Sequence, residues 1–233
     1  MRIKTTFSIL LLFLFITTFG QQFTYGIKGG FDIVDFKYVS KDYDSFSPRK
    51  SYDFGVVLNY SIVKKVEIQI EPGFIEKGSQ IIFINMGNSA MVFKYGYLDL
   101  PLILIISPIK RFNLELGTEF GFLNYSRTID QSGNIFDRND RLNKPFEVAG
   151  NIGLSFKIFT KVYLVLRYSQ GLTPLQDYVI NVDPGPDIPY KIFNKYSEIG
   201  LRFLINKQKE KPKSKRSANN CIVQKKPRFH KTN

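Results

Sequence analysis

Apolar and polar side chains alternate along most of this chain. From Phe112 to Leu123, large apolar residues occupy nearly every second position, and polar or small residues such as Asn113 and Glu115 stand between them. Because successive side chains of a strand point to opposite faces, this pattern predicts a strand with one apolar and one polar face. Seven further stretches repeat it: Phe23 to Phe36, Ser51 to Ile62, Val66 to Lys77, Met91 to Ile106, Phe146 to Ile158, Val162 to Thr173 and Lys195 to Ile205.

The connectors between these stretches alternate between long and short. The long ones are rich in Asp, Asn, Ser, Gly and Pro and cover 37–50, 78–90, 124–145 and 174–194. The short ones are 63–65, 107–111 and 159–161. Each predicted strand reaches the 9 to 11 residues or so that a tilted strand needs to cross a bilayer. We therefore predict an all-β fold, an eight-stranded antiparallel up-and-down transmembrane β-barrel, with long loops outside the cell and short turns in the periplasm.

A soluble barrel of the lipocalin kind is the competing architecture, because it has the same strand number but encloses a ligand in an apolar interior. Aromatic residues near the strand ends favour the membrane version, in which such residues mark the two interfaces. They are Tyr25, Phe36, Tyr52, Phe112, Phe122 and Tyr168. Pro72 and Pro101 interrupt predicted strands, and since proline cannot donate to the ladder we expect a bulge at one or both.

The two ends of the chain differ from its body. Residues 1–20 carry Arg2 and Lys4 before an apolar run, as a cleaved secretory signal does. The net charge of +13 is concentrated in residues 206–233, so the predicted barrel, 21–205, is nearly neutral and nucleic acid is not an expected partner. We expect this basic tail to lack a fold and to attract an anionic periplasmic polymer or lipid. The single cysteine, Cys221, excludes a disulfide framework.

Charged side chains lie on the polar face of the predicted strands, which places them in the barrel lumen. This set is Lys28, Asp32, Asp53, Glu67, Glu71, Glu115, Glu119, Glu147, Arg167, Glu198 and Arg202. Residue counts from the periplasmic ends put Lys28, Glu71, Glu119 and Arg167 near mid-depth, where we expect one ion-pair network that plugs the lumen. A narrow cation-preferring passive pore is the alternative, since acids outnumber bases.

Catalysis and cofactor binding find little support in the sequence. Glu115 and Glu119 share a face, and paired carboxylates can act as acid and base. His230 in the tail is the only histidine, so a Ser-His-Asp hydrolase or a histidine-based metal site is not expected. Oxygen-rich loop segments offer alternatives for calcium: Asp42, Asp44 and Ser45 in the first long loop, and Asp137, Asn139 and Asp140 in the third. We predict no enzyme, no cofactor and no metal.

The long loops carry aromatic and proline residues that we expect to be exposed. The candidates for binding a protein partner are Tyr43, Phe46, Pro186 and Tyr190. Binding residues concentrate on loops that a rigid scaffold positions. We therefore predict a monomeric barrel surrounded by outer-membrane lipid, with a partner-binding surface outside the cell.

Four segments resemble the outer-membrane β-barrel domain family that includes PorT-like proteins. They are Tyr25 to Gly30, Glu67 to Gly73, Tyr97 to Leu102 and Leu166 to Leu172. The resemblance covers about residues 1–205 and implies an eight-stranded outer-membrane barrel of a Gram-negative bacterium. The resemblance implies no specific activity, although PorT proteins support secretion across the outer membrane. The chain departs from the usual pattern at its end, where thirty residues follow Phe203 in the last predicted strand.

Overall fold

The computed structural model describes residues 23–38, 46–83, 89–137, 144–180 and 188–205. The predicted signal peptide and basic tail lie outside these ranges. Twelve strands are present: β1 Phe23–Tyr38, β2 Phe46–Ser47, β3 Arg49–Val63, β4 Val66–Ile70, β5 Gly73–Phe83, β6 Ser89–Ile109, β7 Phe112–Ile129, β8 Ile135–Asp137, β9 Phe146–Lys157, β10 Val162–Gly171, β11 Gln176–Ile180 and β12 Ile188–Leu204. Within the described ranges, no helix is long and apolar enough to span a membrane.

The strands close into one antiparallel ring. β4 and β5 follow one another along the same wall position, and both pair with β3 on one side and β6 on the other. β1 pairs with β3 and also with β12, so the first and last strands join and leave no free edge. The wall therefore contains eight strand positions, as predicted. β2, β8 and β11 are short additions beyond it.

The two faces of the wall have opposite chemistry. Large apolar side chains such as Phe31, Leu116 and Ile152 are exposed on the outside, by 80%, 60% and 62%. Charged side chains of the same strands, among them Asp32 and Glu115, are buried inside. An outward apolar band around a polar interior is the arrangement of a transmembrane barrel. The soluble ligand-carrying barrel, which needs the reverse arrangement, is wrong.

The two prolines lie close together on neighbouring wall positions, offset by one residue in register. Glu71 donates its backbone N–H to the carbonyl of Pro101 over 3.0 Å, and Pro101 has no N–H to return. Pro72 separates β4 from β5. The expected bulge is absent at both sites: the pairs Ile70↔Leu102 and Gly73↔Asp99 keep one register on either side. Among the described ladders, the register shifts instead near Ser61/Val63, Gly96/Tyr97 and Ile106/Ile109.

The strands on the extracellular side are longer than predicted. β6 has 21 residues and β7 has 18, well beyond the 9 to 11 or so that cross the bilayer. The ladder between them continues to Val92↔Ile129, so β7 extends well into the segment 124–145 predicted to be a loop. Cross-strand pairing extends these strands because it supplies hydrogen bonds and side-chain contacts that a loop prediction from composition ignores. β9 and β10, with 12 and 10 residues, stay near the predicted length.

Candidate functional site

The barrel interior is filled in layers that can be followed along β12 from its periplasmic end. Leu204 comes first, Arg202 and Glu198 follow, and Tyr196, Asn194 and Ile192 come last, all of them buried. Leu204 packs with Val57 and Tyr163 in a small apolar cluster at the periplasmic end. The layers above it are charged, and the layer nearest the cell exterior is aromatic. An eight-stranded interior has space only for such side chains.

The charged layer nearest the periplasm is organised around Glu71. Its carboxylate accepts two hydrogen bonds from Arg167, at 2.7 and 3.1 Å, and one from Arg202, at 3.1 Å. Both arginines also bind Glu115, at 2.9 and 3.0 Å. Lys28 lies 3.2 Å from Glu71 and completes the layer. We call these five residues the lower ion cluster. Paired arginine–carboxylate contacts of this kind are the strongest hydrogen bonds that side chains form.

Two more acids border the lower ion cluster. Lys28 reaches Asp53 at 2.8 Å and Glu198 at 3.2 Å, and Arg167 reaches Glu198 at 3.3 Å. Glu67 lies lower and is half-buried, and it accepts a hydrogen bond from Asn59 Nδ2 at 2.5 Å. Each of these predicted lumen residues lies on the inner side of the wall.

Glu119 belongs to a second charged layer, contrary to the expectation of one network. It accepts a hydrogen bond from Lys77 at 2.6 Å and another from Tyr196 at 2.6 Å. Lys77 also lies 3.4 Å from Glu147, which accepts a further hydrogen bond from Asn194 at 2.8 Å. We call Lys77, Glu119 and Glu147 the upper ion cluster. Equal residue counts do not give equal depth because the strands of a barrel are tilted and staggered.

Sequence reasoning missed Lys77, although it is almost completely buried. It stands six residues after Glu71 on the same side of the wall, so strand parity alone would have found it. The rings of Tyr97 and Tyr196 lie 4.8 and 5.5 Å from its ammonium group, which adds cation–π contacts to the ion pairs.

The lumen contains more acids than bases. Apart from Arg49 and Glu76, which pair with each other at 3.0 Å towards the extracellular end, the buried charged residues of the described ranges are the acids Asp32, Asp53, Glu71, Asp99, Glu115, Glu119, Glu147 and Glu198 and the bases Lys28, Lys77, Arg167 and Arg202. Both carboxylate oxygens of Asp32, and Oδ1 of Asp99, have no hydrogen-bond partner in that part of the chain. Asp99 was not predicted as a lumen residue. Buried carboxylates without a donor are costly, so these two mark the least satisfied part of the interior.

Aromatic side chains close the extracellular end of the lumen. Phe36, Tyr95, Tyr97 and Tyr196 are buried with Val34, Ile75, Leu175 and Ile192. We call these eight residues the aromatic cluster. Phe46 contacts Phe36 edge-on, with ring centroids 5.5 Å apart, and Tyr190 is half-buried against the same cluster. The expectation that Phe46 and Tyr190 are exposed is therefore wrong, because both rings cover apolar surface. Tyr43 and Pro186 lie outside the described residues.

Other apolar side chains are exposed beyond the wall. Ile135 and Phe136 of β8 are 60% and 53% exposed, and Val179 of β11 is 56% exposed. The turn before β8 is well ordered by hydrogen bonds from Asn134 to Asp130, at 2.8 and 2.9 Å, and these bonds hold the pKa of Asp130 below its ordinary value. β8 therefore projects from a defined turn. The sequence pattern placed these three residues in the long loops 124–145 and 174–194 but did not mark them as binding candidates.

No three metal-ligating side chains converge anywhere in the described ranges. Asp137, one of the calcium candidates, is 3.1 Å from Arg127 instead. The other calcium candidates, Asp42, Asp44, Ser45, Asn139 and Asp140, lie outside those ranges.

Solved structures of small outer-membrane barrels resemble this one. The attachment invasion locus protein Ail of Yersinia pestis is 12% identical, with 79% of this chain and 99% of Ail covered and a TM-score of 0.45. OprG of Pseudomonas aeruginosa is 11% identical, with 80% and 98% covered and a TM-score of 0.43. Neisserial surface protein A is 11% identical, with 78% and 96% covered and a TM-score of 0.42. No curated protein matches the chain by sequence.

One family model matches residues 19–177, which is more than half of the chain. Its description is an outer membrane protein β-barrel domain. The outward apolar band, the closed ring and the polar interior are the features that such a domain requires. The chain therefore belongs to the outer membrane protein β-barrel domain family.

Proposed function

We propose that this protein is a sealed outer-membrane barrel whose function is binding outside the cell, not transport. The observation that carries this proposal is the filled lumen, in which two ion clusters and the aromatic cluster follow one another along the barrel axis. Arg167, Lys77 and Tyr97 are all nearly inaccessible to solvent. A lumen filled in this way stiffens the wall and offers no continuous path to a solute.

The surface that we assign to binding lies on β8 and β11. Exposed apolar side chains beyond the lipid-facing band, here Ile135, Phe136 and Val179, mark interaction sites more often than chance exposure does. A protein partner in the surrounding medium or in the same membrane is the occupant that fits them. The same proposal includes export through a cleaved signal peptide, a monomeric state and a PorT-like role in supporting secretion.

A cation-preferring pore is the second candidate, and the excess of lumen acids favours it. Within the described ranges, and apart from the pair Arg49–Glu76, eight buried acids against four bases give the interior a negative potential that would attract cations and repel anions. Asp32 and Asp99 would be the residues that a passing cation meets.

Ion efflux from vesicles separates the two candidates. Proteoliposomes loaded with potassium chloride should retain both ions as well as protein-free vesicles do if the lumen is sealed. Selective loss of potassium would support the pore instead. Loss of both ions would contradict both candidates.

Photo-crosslinking on intact cells tests the binding surface. A benzoylphenylalanine placed at Phe136 or Val179 should give a discrete protein adduct, whereas the same residue at lipid-facing Leu116 should not. With the crosslinker at Phe136, the adduct should disappear when Ile135→Ser is added, because that change removes apolar area next to it in β8. Identical adducts at all three positions would contradict a surface on β8 and β11.

A further inference from the structure

The three periplasmic turns carry only basic charges. With the strand residues that border them they span 63–66, 107–112 and 157–162, and no Asp or Glu occurs in any of these segments. Their charged residues are Lys64, Lys65, Lys110, Arg111, Lys157 and Lys161. We call these six residues the basic rim. Six like charges at one end of a barrel repel each other, so they raise the free energy of the protein unless an anion is near.

Backbone hydrogen bonds join neighbouring turns and fix the positions of these charges. Ser107 donates to the carbonyl of Lys65, and Lys157 donates to the carbonyl of Arg111, each over 2.8 Å. Leu204 at the end of β12 donates to the carbonyl of Lys161 over 2.8 Å. The basic rim is therefore a continuous edge of the barrel and not a set of independent loops.

The basic rim lacks the ion pairs found at the opposite end. Six cations at the extracellular side pair with acids: Arg49, Lys94, Arg127, Lys144, Lys191 and Lys195. In the part of the chain that the structure describes, no residue of the basic rim forms an ion pair, and Lys161 alone binds a carbonyl, that of Ile205 at 2.9 Å. The positive charge of this end is thus left available to an external anion.

A cavity of about 430 Å³ lies between two of the turns. Lys110, Arg111 and Lys157 line it, and Ile158, Phe159 and Thr160 form the rest of its wall. Phe159 is 69% exposed, and Ile109 of the same two turns is 66% exposed. Cations and exposed apolar side chains therefore stand side by side where the strands leave the hydrocarbon layer.

We infer that the basic rim, including the cavity between its second and third turns, binds the phosphate groups of anionic phospholipids in the periplasmic leaflet. Basic clusters beside a membrane attract anionic lipid, and each cation adds to the attraction. A phospholipid also supplies acyl chains that match Ile109 and Phe159, which a soluble anion does not. The inference needs only the orientation of the barrel and is independent of the proposed function.

Lipid titration of the full-length protein in detergent, followed by native mass spectrometry, tests this inference. Phosphatidylglycerol should bind at least tenfold more tightly than phosphatidylcholine of the same chain length. The variant K110S/R111S/K157S should lose at least tenfold of that affinity. The control K50S/K144S/K191S removes the same charge from the extracellular end and should stay within twofold of the wild type. Equal affinity in all three proteins, or no preference between the lipids, would overturn the inference.

Two competition experiments distinguish the lipid from other anions. Inorganic phosphate in excess and soluble polyglutamate should each fail to displace phosphatidylglycerol at concentrations comparable to the lipid. Displacement by phosphate would assign the cavity to a free anion, and displacement by polyglutamate would assign the rim to an acidic polymer; either result overturns the lipid assignment.

Each variant must keep the heat-dependent mobility shift of a folded barrel. If the triple variant loses it, Lys110→Ser and Lys157→Ser alone should each show part of the affinity loss.

Discussion

The lower ion cluster and the aromatic cluster fill the same barrel by different means. Around Glu71, three cations and a second acid meet in short, directed hydrogen bonds. Around Phe36, rings pack at varied angles, with centroids 5.5 to 6.5 Å apart, and few directed bonds. Removing one charge leaves its partner buried and unpaired, whereas removing one apolar group leaves only a cavity. The charged layers should therefore tolerate substitution less than the aromatic layer does.

Arg167→Met is expected to produce the largest effect. It leaves Glu71, Glu115 and Glu198 with fewer donors, so the free energy of unfolding should fall by about 3 to 5 kcal/mol. Urea unfolding in lipid vesicles measures the change. Arg127→Met is the matched control: its pair with Asp137 is exposed, and its loss should stay near 0 to 1 kcal/mol, about that of a surface pair. Equal losses in the two variants would mean that the lower ion cluster is not buried.

Leu116→Arg tests whether both clusters are inside the barrel at all. Leu116 faces lipid, so an arginine there should destabilise the protein by about 2 to 4 kcal/mol in vesicles. Leu116→Met should change it by less than about 1.5 kcal/mol. A silent Leu116→Arg would contradict a lipid-facing Leu116 and, with it, the assignment of the two faces of the wall.

Leu175→Ala measures how much packing in the aromatic cluster contributes to the free energy of unfolding. Leu175 is 2% exposed, and its removal should destabilise by about 2 kcal/mol, at the low end for buried leucine because the cluster lies at the mouth of the barrel. Val179→Ala in β11, the strand that begins directly after Leu175, changes an exposed side chain and should stay within about 0.5 kcal/mol. A loss at Leu175 larger than that at Arg167 would reverse the ranking of the two layers.

Tyr97→Phe gives the smallest expected effect, at the boundary between the layers. Its hydroxyl accepts one hydrogen bond, from Asn194 at 3.3 Å, while the ring contact with Lys77 remains after the change. A loss of about 1 kcal/mol is expected in the same unfolding experiment. Tyr168→Phe, whose hydroxyl donates to Gln170 on the exposed side, should be neutral. A loss at Tyr97 as large as that at Arg167 would show that the hydroxyl, and not the ring, holds Lys77.

Strand parity predicted the side of the wall on which a residue lies. Residue counts along the strands did not predict how deep in the barrel a residue lies. Parity placed Glu71 and Arg167 inside, where they meet. Residue counts from the periplasmic ends grouped Glu119 with them, although tilt and stagger put Glu119 beside Lys77. Composition marked Phe46 and Tyr190 as loop residues, but pairing of neighbouring strands extends the wall and covers both rings. Contacts between strands distant in sequence decide these points, and one sequence does not display them.

Single-channel recording in planar bilayers tests most directly whether the lumen is sealed. The account predicts no steady conductance steps for the wild type across an asymmetric potassium chloride gradient. It also predicts no steps for Tyr97→Phe, which keeps the ring in place. Steady steps from the wild type with a cation-selective reversal potential would contradict the sealed lumen and establish the acid-lined pore in its place.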